Sequence, residues 1–126
     1  MKILIAEDER VTLLMLEECL KAEGYEVITA NDGREALNKL ENEFPDLILT
    51  DIMMPFTSGL EFIGIVKSSR KRTIPIIVLS AIDEESTVME AFKLGADDFI
   101  AKPFNSQELI LRVKRFLLLH ANPLKR

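Results

Sequence analysis

Four short apolar runs each end in a residue that could do chemistry. Glu7-Asp8-Glu9 follows the first, Asp51 follows Leu47–Leu49, Ser80 follows Ile76–Leu79, and Lys102-Pro103 follows Phe99–Ala101. Carboxylates gathered at one edge repel, since two unit charges about 4 Å apart interact by about 4 kcal/mol at an effective dielectric near 20. A divalent cation relieves that repulsion. Donors that are all oxygens, with waters and a phosphate oxygen completing the shell, suit Mg²⁺ better than an all-protein Ca²⁺ cage. A carboxylate can itself be the nucleophile in phosphoryl transfer, forming an aspartyl phosphate, and Asp51 is the best-placed candidate. The Ser80 hydroxyl can donate to a phosphoryl oxygen, and Lys102 supplies a positive point charge.

These residues must be brought together by the elements that carry them. The apolar runs Ile3–Ala6, Val27–Thr29, Leu47–Leu49, Ile76–Leu79 and Phe99–Ala101 have the length and β-branched content of buried parallel strands. Between them lie segments with helical spacing: Val11/Leu14 with Leu13/Leu16/Leu20, Ala36/Leu37/Leu40, Leu60/Phe62/Ile63/Val66, Val88/Ala91/Phe92, and Leu109/Ile110/Val113/Phe116/Leu117. Asp32 with Glu35, Ser58 with Glu61, and Asn105 with Glu108 mark helix starts, each a polar cap followed three residues later by Glu. Gly24 and Gly95 mark helix ends. Strict βα alternation with right-handed crossovers predicts an α/β fold, a five-stranded parallel sheet of order 2-1-3-4-5 doubly wound by five helices. In such a sheet ligands bind outside the carboxyl ends of the strands, where strand order reverses. That is where the acids, Ser80 and Lys102 stand.

Bulk properties narrow the class. The chain has 126 residues, enough for one core, with 48% hydrophobic against 29% charged residues, which argues against global disorder. A formal charge of −5 disfavours direct nucleic-acid binding, which relies on basic residues displacing counterions. No apolar stretch approaches the roughly 18–20 residues of a membrane span, and the first apolar run is too short for a signal sequence, so a cytoplasmic setting is expected. Cys19 sits in an apolar helical pattern and suits a small packed side chain; His120 is assigned no site role. Residues 1–121 form the expected domain, with 122–126 as a tail or the start of a linker.

Ile3-Leu4-Ile5-Ala6-Glu7-Asp8-Glu9, Asp51-Ile52-Met53-Met54-Pro55 with Gly59, Leu79-Ser80-Ala81, and Gly95 through Phe104 occur in an order that resembles the receiver domains of bacterial response regulators, the CheY-like family of two-component signalling. The resemblance covers nearly the whole chain. It implies Asp51 as phosphoacceptor, and Glu7, Asp8, Asp51 and the backbone carbonyl of Met53 as the Mg²⁺ site. It also implies Ser80 and Lys102 as contacts to the phosphoryl group, Ser80 with Phe99 as the switch, and a cis Lys102–Pro103 peptide. The implied phosphodonor is a phosphohistidine on a sensor histidine kinase or phosphotransfer domain. The implied output is the face built from the fourth helix, fifth strand and fifth helix, acting on a downstream effector protein or a fused effector domain. Asp97, Asp98, Glu108 and Arg112 give that face charges that could pair across a homodimer.

On this reading the chain is a signalling domain that catalyses only its own phosphorylation and dephosphorylation. Glu7 stands where many members have Asp, and Phe99 where many have Tyr, so the phenolic hydroxyl is missing. Met53 and Ile82, two residues beyond the acceptor and the hydroxyl residue, are apolar where the family's residues influence the hydrolytic water. Two other classes share parts of the pattern. An aspartyl-phosphate phosphatase of the haloacid-dehalogenase type usually carries a second Asp where this chain has Met53. A pseudo-receiver working without phosphorylation would lack an acid, the acceptor or the lysine.

Overall fold

The computed structural model describes residues 1–54, 58–68, 73–81 and 85–121, the side chains of His120 and Ala121 excepted. Pro55, Ile82, the His120 side chain and the 122–126 tail therefore lie outside the described residues. The elements run β1 (Lys2–Ala6), α1 (Arg10–Ala22), β2 (Glu26–Ala30), α2 (Gly33–Glu43), β3 (Leu47–Asp51), α3 (Gly59–Ser68), β4 (Ile76–Ala81), α4 (Glu85–Leu94), β5 (Asp98–Lys102) and α5 (Ser106–Ala121). All strand pairings are parallel, and the order is β2-β1-β3-β4-β5, as the alternation predicts. Among the described residues no helix is long and apolar enough to cross a membrane.

The period-two alternation of the strands sorts their side chains into two cores. Leu4, Ile48, Ile76 and Val78 pack beneath α2, α3 and α4 with Ala36, Phe62, Ile63, Val66 and Ala91. Ile3, Ile5, Leu47, Leu49, Ile77 and Leu79 pack beneath α1 and α5 with Leu13, Leu16, Leu20, Leu109, Val113 and Leu117. Each of the buried Leu, Ile, Val and Phe side chains contributes about 1.5–3 kcal/mol of apolar burial. On α1 the Leu13/Leu16/Leu20 stripe faces the sheet, with Cys19 packed at its side. Val11 and Leu14, which helical spacing alone makes equally eligible, lie on the solvent side. A helix resting on one sheet has one inward stripe.

Local chemistry sets the element ends. The Asp32 carboxylate accepts from the Glu35 N–H at 2.8 Å, and the Asn105 side chain accepts from the Glu108 N–H at 3.0 Å. Ser58 and Glu61 cap each other reciprocally at 3.2 and 3.4 Å. Gly24 and Gly95 close α1 and α4 with φ of 90° and 117°. Helix α2 ends on Phe44 in the left-handed region, an ending with no glycine to announce it. Strands β3 and β5 run two and one residues beyond their apolar runs, because ladder pairing continues through Asp51 with Leu79 and Lys102 with Ala81. The acceptor candidate and the lysine are thus fixed by the sheet itself.

The charges expected to pair across a dimer are engaged within the chain. Arg112 donates to both oxygens of Asp98 at 2.8 and 2.9 Å and reaches Glu108 at 3.4 Å, while Lys67 holds Asp97 at 2.8 Å. The reason is proximity: Glu108 and Arg112 are one helical turn apart, and β5 lies beside α5.

Candidate phosphoacceptor and metal site

Four strands deliver the site. β1 hands the chain to Glu7 and Asp8, β3 ends on Asp51, β4 carries Ser80 next to its end, and β5 ends on Lys102. Lys102 must cross two interstrand spacings, roughly 10 Å, to reach over β4 to β3. It does so: its Nζ lies 2.8 Å from Glu7 Oε1 and 3.2 Å from Asp51 Oδ2. The Lys102–Pro103 peptide that follows is cis. Glu7 is fully buried and Asp51 is 6% exposed, whereas Asp8 is open to solvent. One carboxylate oxygen from each of Glu7, Asp8 and Asp51 lies within 4.8 Å of the others.

The electrostatics follow from three carboxylates sharing one ammonium. Burial, with the Asp51 charge, pushes the Glu7 carboxyl up to about 7, against the lowering pull of the Lys102 ammonium beside it and of the Glu9 N–H. Burial alone would lower the Lys102 pKa, but the adjoining Glu7 and Asp51 carboxylates outweigh it and hold it above the ordinary lysine value. A buried acid pushed towards neutrality marks a site short of positive charge. Hard oxygen donors around that deficit fit Mg²⁺.

The Glu9 carboxylate stands outside this cluster, although the Glu9 N–H donates to Glu7 Oε2 at 3.1 Å. Glu9 caps α1, accepting from the N–H groups of Val11 and Thr12 at 3.1 and 2.9 Å, and these bonds with the Thr12 hydroxyl hold its carboxyl below the usual value. Ser80 is fully buried, and its hydroxyl donates to the Ala81 carbonyl at 3.2 Å rather than to the acids. Phe99 pairs in register with Val78, so it shares a sheet face with Val78 and Ser80, and it is half-buried. Met54 packs into the core, while Met53 is 61% exposed above the strand end.

Two features of the loop after Asp51 went unmarked by spacing. The Thr50 hydroxyl donates to the Asp51 carbonyl at 2.9 Å, and the Gly59 N–H donates to the Ile52 carbonyl at 2.8 Å. A hydroxyl closing the apolar run Leu47-Ile48-Leu49 was the available signal for the first.

Residues 3–114 match the model of the response regulator receiver domain family. Over 116 residues the chain is 44% identical to the alkaline phosphatase synthesis transcriptional regulatory protein PhoP of Bacillus subtilis, covering 92% of this chain and 48% of that protein. It thus spans about half the length of that relative. Among solved structures, the signal receiver domain of a signal transduction histidine kinase from Syntrophus aciditrophicus superposes with a TM-score of 0.86 at 37% identity, covering 92% of this chain and 89% of that one. The chemotaxis response regulator CheY4 of Vibrio cholerae gives 0.84 at 34% identity, covering 91% and 97%. An acidic site at the carboxyl edge of a 2-1-3-4-5 sheet, together with a family match over most of its length, makes this chain a member of the response regulator receiver domain family.

Proposed function

We propose that this receiver domain accepts a phosphoryl group on Asp51 from a phosphohistidine of a sensor histidine kinase or phosphotransfer domain. The observation that carries the reading is the Lys102 ammonium held between Glu7 and Asp51, with Asp8 beside them. An Asp51 carboxylate oxygen attacks phosphorus, the P–O bond forms as the P–N bond breaks, and the histidine leaves. Lys102 turns from Glu7 towards the new phosphoryl oxygens, and Ser80 exchanges its Ala81 bond for one to the same group. Glu7, Asp8, Asp51 and the Met53 carbonyl would hold Mg²⁺, which neutralises phosphoryl charge and orients the donor when bound. The domain catalyses only its own phosphorylation and dephosphorylation.

Movement of Ser80 opens space on the face it shares with Phe99, and the output surface is that of α4, β5 and α5. An effector protein or a fused effector domain would read it, and the greater length of the PhoP relative supports the fused form, with residues 1–121 as the receiver and 122–126 beginning a linker. A homodimer through the same face would draw on exposed Met89 and Leu111, since Asp97, Asp98, Glu108 and Arg112 are paired within the chain. A cytoplasmic setting fits a kinase donor. Incubation with a small phosphodonor and Mg²⁺ tests the reading: a mass gain of one phosphate, absent in Asp51→Asn, is expected. No gain, or sustained donor turnover without it, would overturn it.

A further inference from the structure

Thr50 places a hydroxyl where the fold provides an apolar setting. It sits on β3 in register with Ala6 and Val78, one position from the acceptor, and is fully buried on the face occupied by Leu4, Ile48 and Ile76. A valine has nearly its shape and its β-strand preference, and a buried hydroxyl costs desolvation that a valine would avoid. What the hydroxyl provides is a single directed bond, 2.9 Å to the Asp51 carbonyl oxygen.

That carbonyl belongs to the peptide by which the chain leaves the acceptor. Because the peptide is planar, fixing its oxygen fixes the Asp51–Ile52 plane and the direction of the following residue. The next carbonyl, that of Ile52, is held by the Gly59 N–H at 2.8 Å. Two successive carbonyls are therefore anchored before the chain reaches Met53, whose carbonyl is the assigned Mg²⁺ ligand.

We infer that Thr50 is a positioning residue for the metal site: its hydroxyl sets the exit path of the chain from Asp51, and so aims the Asp51 carboxylate and the Met53 carbonyl at one ion. The inference rests on the Mg²⁺ reading given above. Thr50 itself touches neither the ion nor the phosphoryl group. Partners that orient metal ligands from behind typically change metal affinity about 10- to 100-fold when removed.

The test is a calorimetric Mg²⁺ titration of the full 126-residue chain and its Thr50→Val and Thr50→Ser variants, with the metal-free melting temperature measured alongside. Thr50→Val should weaken Mg²⁺ binding about tenfold, and Thr50→Ser, which keeps the hydroxyl, should stay close to the parent. A purely structural role would lower the melting temperature of Thr50→Val and leave its Mg²⁺ affinity at the parent value, and that result overturns the inference while the Mg²⁺ reading stands. Equal weakening by valine and serine overturns it too, since packing would then be the cause. A parent chain that binds no Mg²⁺ overturns both readings. If Thr50→Val does not fold, Thr50→Ala carries the same comparison, and parental affinity there overturns the proposal.

Discussion

A Cβ added to Gly59 would lie 2.1 Å from the carbonyl oxygen of Asp51. It would also meet the Ile52 Cα at 2.6 Å and the Ile52 carbonyl at 2.7 Å, so every close neighbour is backbone and none can swing aside. The start of α3 is pressed against the acceptor's own peptide, and glycine is what permits the approach.

Gly59→Ala should therefore be costly out of proportion to one methyl group. Overpacking against fixed atoms should lower stability by about 2–3 kcal/mol, and the displaced loop should slow donor-dependent phosphorylation in the fraction that remains folded. Urea denaturation with the mass-gain assay measures both. Parental stability and parental rate together would show that α3 is free to shift.

The sharing of Lys102 between Glu7 and Asp51 predicts opposite effects on folding and on metal binding. Lys102→Met leaves Glu7 and Asp51 without their shared counter-charge, so that Glu7 must take up a proton or face the Asp51 charge, and metal-free stability at pH 7.5 should fall by about 1–3 kcal/mol. Mg²⁺ no longer competes with an ammonium for the same oxygens, so its affinity should rise roughly tenfold. Weaker Mg²⁺ binding in Lys102→Met would contradict the assigned overlap of the two cations.

Glu7 gives the pH dependence its sign. Its carboxyl is raised from 4.5 to about 7 by burial and by Asp51, so between those values the folded chain keeps a proton that the unfolded chain has released. Its contribution to stability therefore falls as pH rises through that window, by about 3 kcal/mol at most. Glu7→Gln removes this loss: the stability of the variant relative to the parent should grow between pH 4.5 and 8 in metal-free buffer. Millimolar Mg²⁺ should restore the parent more at pH 8 than at pH 5, because it binds the ionised carboxylate. A pH-independent difference between parent and variant, from denaturation midpoints, would remove Glu7 as the cause.

Much of this architecture is legible in residue order because the βα alternation leaves few topologies, and residues such as Asp51 and Lys102 stand where apolar strands stop. What spacing does not carry is direction and contact. Val11 and Leu14 obey helical spacing as well as Leu13 and Leu16 do, and only the presence of the sheet decides between the stripes. Arg112 could have reached outward, but β5 puts Asp98 within its grasp. The Thr50 bond and the Gly59 contact are local backbone geometry, and the Ser80 bond to Ala81 is the rest position of a side chain assigned a moving role.

Met53 bears on how long the phosphorylated state lasts. Hydrolysis needs a water aligned with phosphorus opposite the Asp51 oxygen, and the family resemblance implies that the residue two beyond the acceptor influences that water. Met53 is exposed at that edge, so its side chain is free of the core and substitution there should leave folding intact. A thioether neither donates a hydrogen bond nor accepts one strongly, so it leaves the water unaligned. Placing a reactant correctly lowers the barrier through pre-paid orientation, which a carboxamide in this position would supply. Met53→Asn should therefore shorten the lifetime of phosphorylated Asp51 by roughly threefold to tenfold while leaving donor-dependent phosphorylation, Mg²⁺ affinity and denaturation midpoint near parental values. The assay is loss of the phosphorylated mass in Mg²⁺ buffer after donor removal, with Met53→Leu as the apolar control. Faster decay in asparagine and not in leucine is the expected result; equal decay in all three would mean that Lys102 and the metal geometry set the rate and that Met53 only covers the loop.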